Sequence, residues 1–181
     1  DPTRLDLRAS DDYWDHVDYI VKKANSLGIY VGFLPTWGRF WHDTNQGRKP
    51  IFNAANAETY GEFLGHRYKD AGVIWILGGD RSIQTDDERT IIDALAAGLQ
   101  TGDGGSHLKT YHPTGPGFSS IKLNTADWLD FNMFQSSHGA HDHDNGLFVD
   151  HDYALDPPKP TMDGEPRYEG MPVGFYFKGT A

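Results

Sequence analysis

The chain has 181 residues and a formal net charge of −10, with 26 acidic side chains against 16 Lys and Arg. The length suits one domain with a sizeable core. The acidic balance argues against nucleic acid or an anionic membrane surface as a partner, because both select for basic patches. The absence of cysteine excludes disulfides, thiolate metal sites and cysteine nucleophiles. No apolar run approaches the ~20 residues that a membrane-spanning helix needs.

Helical and extended patterns alternate along the chain, which predicts βα units and a parallel sheet. Helices are expected over residues 10–27, with Ser10 as the N-cap, then 53–68, with Asn53 or Asn56 as the cap, and 86–99 and 147–155. Strands are expected near five points, in chain order Ile29, Val73, Leu108, Phe131 and Thr161. The stretches 101–105 and 114–120 are predicted to be turns or loops.

Each predicted strand ends in polar or aromatic residues, a pattern typical of a (β/α)8 barrel, in which all strands deliver side chains to one mouth. The clearest case is the apolar run Val73–Leu77, which two glycines separate from Asp80 and Arg81. Because eight βα units typically need ~250 residues and at least ~200, the chain is expected to be a piece of a barrel or a smaller α/β sheet.

Asp80 and Glu165 are the two carboxylates best placed to converge, since both follow predicted strands. Hydrolysis of a glycosidic bond needs one carboxylic acid to protonate the leaving oxygen and a second carboxylate to attack the anomeric carbon or activate water. Structural alternatives remain open for each residue. Asp80 could cap a helix or pair with Arg81, and Glu165 could form an ion pair at the barrel rim with Arg81 or Arg167.

Several blocks of the sequence together resemble one known family. The blocks are Asn56–Ala57, Tyr60–Asp70, Val73–Arg81, Thr110–Pro113, Trp128–Met133, Gln135–His138 and Glu165–Glu169. In this order, and over nearly the whole chain, they are similar to the apiosidase-like glycoside hydrolases, bacterial (β/α)8-barrel enzymes that act on plant cell-wall glycans. The resemblance implies a retaining mechanism on pectic glycans, with Asp80 as the general acid/base and Glu165 as the nucleophile.

The resemblance also implies a fold: α/β, a partial (β/α)8 TIM barrel whose five parallel strands correspond to barrel strands three to seven. The first two strands and the last are then missing, and residues 1–181 form a single fragment of the catalytic barrel. Unpaired sheet edges favour association, so the expected partners are the missing barrel portions of the parent chain and an oligosaccharide or polysaccharide substrate. We expect no cofactor, and we expect a secreted or periplasmic parent, although no signal peptide is visible.

Six further residues are candidates for substrate binding: Trp37, Arg81, His112, Gln135, His138 and Tyr168. Trp37 is either a stacking platform for a sugar or a core residue, and His112 either binds a hydroxyl or the nucleophile, or is structural. Gln135 and His138 have donors and acceptors for sugar hydroxyls, and Tyr168 can donate to the nucleophile. Arg81 could orient Asp80 or hold its charge; because a cation opposes protonation of a neighbouring acid, the alternative is that Arg81 points away or pairs with another carboxylate such as Glu169.

Two other functions stay open at this point. The segment from His138 to Asp144 contains imidazoles and carboxylates that suit a divalent metal, which would make the protein a metal-dependent hydrolase on the same barrel. The spacing matches neither a zinc helix nor a calcium loop, so a polar surface loop is the default and no metal ligand is assigned. The third possibility is a carbohydrate-binding barrel without catalysis.

Overall fold

The computed structural model describes residues 2–7, 10, 12–42, 49–139 and 144–175. The helices in these ranges are α1 (Tyr13–Ser26), α2 (Ala54–Tyr68), α3 (Asp86–Asp103), α4 (Ser120–Leu123) and α5 (Asn145–Tyr153). The strands are β1 (Val31–Phe33), β2 (Val73–Leu77), β3 (Lys109–Tyr111), β4 (Gly117–Phe118), β5 (Asn132–Gln135) and β6 (Thr161–Asp163). Among the described residues, none of these helices is long and apolar enough to cross a membrane.

Side-chain caps fix where the first two long helices begin. Asp12 accepts hydrogen bonds from the backbone of Trp14 and Asp15 at the start of α1, so the expectation that Ser10 is the cap is wrong. A carboxylate satisfies these free N–H groups and also favours the positive end of the helix dipole. Asn53 caps α2 as predicted, and the Asn56 side chain completes a reciprocal capping box.

The strands form two three-stranded sheets, in the orders β1–β2–β3 and β4–β5–β6. Pairing is parallel throughout the first sheet and between β5 and β6. The five predicted strands are present, and wherever two of them pair, the pairing is parallel as expected. The sequence did not predict β4, which pairs antiparallel with β5. This strand lies in the stretch expected to be a loop, and two residues are too few to show an alternating pattern.

The two sheets adjoin where β3 approaches the chain just before β5. The Asp130 backbone N–H donates to the Lys109 carbonyl (2.9 Å), and the Thr110 hydroxyl donates to the Phe131 carbonyl (2.8 Å). The result is a mixed α/β fold with mainly parallel strands, which is consistent with part of a TIM-barrel-like fold. The correspondence of its strands to barrel strands three to seven stays a prediction.

Helices α2 and α3 pack unusually closely through four glycines. Gly61 and Gly65 of α2 face the backbone of α3, and Gly98 and Gly102 of α3 face the backbone of α2. A β-carbon at Gly98 would overlap the carbonyl oxygen of Glu58. Each pair is spaced by four residues, so both glycines lie on one helix face and let the two backbones touch.

A buried ion pair lies at the opposite end of β2 from its carboxyl terminus. Asp103 Oδ2 accepts from Trp75 Nε1 (2.9 Å) and contacts His107 Nδ1 (2.9 Å). His107 Nε2 lies 2.8 Å from the Ala71 carbonyl oxygen. Since a carbonyl only accepts and the carboxylate also accepts, both ring nitrogens carry protons, and the imidazolium balances the buried carboxylate.

Candidate active site

The chain leaves β2 through three consecutive residues with positive φ, Gly78 (94°), Gly79 (76°) and Asp80 (59°). The glycines are required by space as well as by conformation, because a β-carbon on Gly78 would crowd the Tyr111 ring and one on Gly79 would crowd the Thr36 carbonyl. Asp80 is in the left-handed region, which non-glycine residues seldom adopt and which marks functional sites when its surroundings enforce it. The turn brings the Asp80 side chain to the carboxyl end of the sheet.

Hydrogen bonds to both its peptide groups hold Asp80 in this conformation. Its backbone N–H donates to His112 Nδ1 (3.2 Å), and its carbonyl accepts from the Thr114 hydroxyl (3.1 Å). The same carbonyl accepts from Arg81 Nη1. The sequence gives no signal for Thr114, because it belongs to the stretch expected to be an unstructured loop.

Arg81 does not point away from Asp80, which leaves the alternative in which the two residues pair. Its Nη1 lies 3.3 Å from Asp80 Oδ2. The cause is packing, since the Arg81 stem crosses directly over Gly38 and a β-carbon there would overlap it. Gly38 in turn is tied to the β2 end by its N–H, which donates to the Gly79 carbonyl (2.9 Å). This packing directs the Arg81 guanidinium towards the carboxylate of the preceding residue, Asp80.

Glu165 follows β6 and is surrounded by hydrogen-bond donors. Gln135 Nε2 donates to its Oε2 (2.8 Å), His112 Nε2 lies 3.3 Å from the same oxygen, and the Tyr168 hydroxyl donates to Oε1. The hydrogen bond to Glu165 is the main cause that raises the pKa of Tyr168 to about 12. Tyr168 is therefore protonated at neutral pH and remains a donor. These contacts fix the direction of the Glu165 carboxylate.

The Asp80 peptide and the Glu165 carboxylate lie at the two nitrogens of the His112 ring. Nδ1 contacts the Asp80 N–H and Nε2 contacts Glu165 Oε2, so one imidazole links the two chain segments. The charge of Asp80 also contributes to the raised pKa of Tyr168. Contacts thus connect five of the candidate residues: Asp80, Glu165, His112, Gln135 and Tyr168.

Trp37 and His138 flank this group. Trp37 is 45% exposed, which is too much for a core residue. It follows β1, and its backbone packs against Gly79 beside Asp80. The His138 ring packs on the Tyr168 ring with centroids 4.7 Å apart. Both residues therefore lie at the same end of the sheet as the two carboxylates.

Asp163 is a part of the site that the sequence reasoning missed. Its carboxylate accepts from the Ser136 hydroxyl (2.6 Å), from Asn145 Nδ2 (2.9 Å) and from the backbone N–H of Glu165 (3.3 Å). It thereby joins the end of β5, the start of α5 and the peptide that carries Glu165. Asp163 and Glu165 form a D-x-E pattern at the end of a strand. Because alternate residues of an extended chain face the same side, this pattern could have identified Asp163 from the sequence.

The predicted alternative of a metal site falls partly outside the described residues, which exclude His141 and His143. In the ranges that the structure describes, no group of three or more His, Asp or Glu side chains is arranged to hold a metal ion.

Comparison with known proteins identifies a family for the chain. Residues 1–180 match the family model for the apiosidase-like catalytic domain, and no curated protein matches the chain. A crystal structure described as a glycoside hydrolase family 5 protein from Bacteroides vulgatus is 39% identical, with a TM-score of 0.79 over 95% of this chain. Another structure, described as a glycoside hydrolase, is 36% identical, with a TM-score of 0.81 over 99%.

The chain covers 38% of the first of these structures and 42% of the second, so it spans well under half of their length. The family model nevertheless matches nearly the whole chain. The chain belongs to the apiosidase-like family of glycoside hydrolases and matches its catalytic domain.

Proposed function

We propose that this chain carries the catalytic pair of a retaining glycoside hydrolase, with Glu165 as the nucleophile and Asp80 as the general acid/base. The observation that carries the proposal is that one ring, His112, contacts both the peptide of Asp80 and the carboxylate of Glu165. A retaining glycosidase needs two such carboxyl groups on either side of one scissile bond. Membership of the family supports glycosidase chemistry, and the geometry supports the choice of residues.

The surroundings of the two carboxylates favour this division of roles. The Glu165 side chain is 18% exposed and is held by donors from His112, Gln135 and Tyr168, which suits a nucleophile that must stay ionised and aimed. The Asp80 side chain is more accessible, at 31%. That accessibility suits a group that must reach first the leaving-group oxygen and then a water molecule.

The proposed reaction has two steps. In the first, Glu165 attacks the anomeric carbon, the bond to the leaving oxygen breaks, and Asp80 gives its proton to that oxygen. In the second, the Asp80 carboxylate takes a proton from water, whose oxygen displaces Glu165 from the anomeric carbon. The sugar leaves with its configuration retained, and both carboxyl groups return to their starting forms. Arg81 stabilises the Asp80 carboxylate that exists between the two steps.

We propose pectic glycans of the plant cell wall as the substrate class and apiosides as the first substrates to try. The name of the family supports this choice. Trp37 supports it physically, because an exposed indole beside the catalytic strand offers an apolar face for a sugar ring. A substrate of this kind lies outside the cytoplasm, so we also propose a secreted or periplasmic location.

The test uses the full-length protein on a panel of pectic oligosaccharides, with nuclear magnetic resonance to read the configuration of the released sugar. We expect turnover with retention, its loss in E165A, and its recovery in D80N when azide replaces water on an activated aryl glycoside. Asn is the right replacement for Asp80 because it tolerates the left-handed backbone. Turnover that survives in E165A, or release with inversion, would overturn the assignment. Binding of oligosaccharides without any turnover would favour the non-catalytic alternative.

A further inference from the structure

The His112 ring lies between the two proposed catalytic residues, Asp80 and Glu165. The residue is 7% exposed, and its ring contacts the catalytic residues of two different strand ends. We propose that His112 is a positioning residue that acts as a neutral imidazole of one fixed tautomer. Its Nδ1 holds the peptide of Asp80, and its Nε2–H holds the carboxylate of Glu165. This inference rests on the proposed function and extends it.

The hydrogen-bond partners themselves fix the tautomer. A backbone N–H can only donate, so the Asp80 peptide, 3.2 Å from Nδ1, requires an unprotonated Nδ1. A neutral imidazole then carries its proton on Nε2, which points at Glu165 Oε2 at 3.3 Å. Nδ1 thus accepts from the peptide of the proposed acid/base, Asp80, and Nε2–H donates to the proposed nucleophile, Glu165.

The Asp80 peptide needs such an anchor because its conformation is unfavourable. A non-glycine residue at φ 59° is strained, and it keeps this conformation only where its surroundings enforce it. The bond from the Asp80 N–H to His112 opposes relaxation of this turn, and the Thr114 hydroxyl does the same at the carbonyl. Without the anchor, the carboxyl group would move relative to the leaving-group oxygen.

The ring is in turn held by its own strand and by the strand that carries the nucleophile. The His112 N–H donates to the Leu77 carbonyl (2.8 Å), which fixes the backbone beside the end of β2. Gly164 lies against the ring face, and a β-carbon there would be 3.3 Å from His112 Cδ2 and would overlap Met133 Sδ. The imidazole therefore has little room to rotate away from either partner.

Two substitutions separate the two contacts. The Asn oxygen in H112N can take the place of Nδ1 and keep the bond to Asp80, but the side chain is too short to reach Glu165. The Gln amide in H112Q can take the place of Nε2 and donate to Glu165, but it offers no acceptor at the Nδ1 position. H112A removes both contacts and serves as the reference for complete loss.

The readout is kcat/KM for a pair of apiosides with dinitrophenyl and phenyl leaving groups, which reports the first step only. Protonation matters for the poor phenyl leaving group and hardly for the dinitrophenyl group, whereas nucleophilic attack matters for both. We expect H112Q to lose roughly 10-fold on the phenyl glycoside and little on the dinitrophenyl glycoside. We expect H112N to lose roughly 10- to 100-fold on both substrates.

A purely structural role would lower the rates of both variants equally on both substrates, and that result would overturn the proposal.

Circular dichroism and thermal unfolding of each variant verify that it folds. A variant that unfolds is replaced by Q135L, which removes another Glu165 donor and should follow the pattern of H112N. The proposed function is tested separately by D80N and E165A. A D80N variant without leaving-group dependence would refute the role of Asp80 itself, whatever the His112 variants show.

Discussion

The Arg81 guanidinium lies against the carboxylate of the residue before it, with Nη1 3.3 Å from Asp80 Oδ2. The contact is enforced by the packing of the Arg81 stem over Gly38 and by a second bond to the Asp80 carbonyl. The same guanidinium therefore holds both the carboxylate and the peptide carbonyl of Asp80. Arg81 should accordingly fix the direction of the Asp80 side chain.

Replacement R81M removes the cation but keeps an apolar stem over Gly38. Because the Asp80 carboxylate then loses the group that holds its direction, we expect kcat/KM for the proposed reaction to fall roughly 10-fold in R81M. R81K keeps the cation and should lose less than R81M. An unchanged kcat/KM in R81M would show that Arg81 does not position Asp80.

The Tyr168 hydroxyl provides a spectroscopic probe of the Glu165 carboxylate. Its hydrogen bond to Glu165 raises the pKa of Tyr168 to about 12, compared with about 10 for an unperturbed tyrosine. In E165Q the negative charge is gone, so the pKa of Tyr168 should fall towards about 10. The measurement is tyrosinate absorbance against pH, with Y168F subtracted to isolate this side chain. An unchanged titration in E165Q would contradict the contact.

Buried tyrosines should make the protein less stable in alkali. Burial raises the pKa of Tyr60, Tyr68 and Tyr111 in the folded chain. Their stabilising contribution is complete below about pH 10, where the unfolded phenol is also protonated, and it is lost as pH rises above that value. Urea unfolding at several pH values should show this loss, and Y60F should reduce its steepness. Y19F is the control, because Tyr19 is 65% exposed.

The glycine contact between α2 and α3 predicts a large cost for one added methyl group. A β-carbon at Gly98 overlaps the Glu58 carbonyl, and a backbone atom cannot move aside as a side-chain end can. We expect G98A to lower the free energy of unfolding by about 1–3 kcal/mol, despite the better helix propensity of alanine. T101A, at an exposed site of the same helix, should stay within about 0.5 kcal/mol. Equal effects of the two substitutions would contradict the close packing.

The buried ion pair predicts another loss of stability. H107A leaves the Asp103 carboxylate, which is 0% exposed, without its cation. The free energy of unfolding should fall by about 3–5 kcal/mol, as measured by denaturant unfolding. H66A is a matched control, because His66 pairs with Glu62 on the same i, i+4 spacing but is 64% exposed. Its effect should stay below about 1 kcal/mol.

The proposed pair, Asp80 and Glu165, and the contacts of Glu165 with His112, Gln135 and Tyr168 are suggested by the sequence, because each residue follows a recognisable strand and parallel strands deliver their carboxyl ends to one edge. Asp163 and Thr114 act through bonds to residues 18 to 34 positions away along the chain or to the backbone of their neighbours. Local patterns carry no information about such contacts. The sequence left the direction of Arg81 open, because it depends on the space above Gly38.

The sequence by itself determined the order of four helices and five strands, a cap at Asn53 or Asn56 and the polar strand ends, because apolar periodicity and cap chemistry act over a few residues. Only the tertiary structure decided that β4 pairs back on β5, that Arg81 folds over Asp80, and that His112 lies between Asp80 and Glu165. These features depend on packing between distant segments, where excluded volume and the pairing of each buried donor select one arrangement.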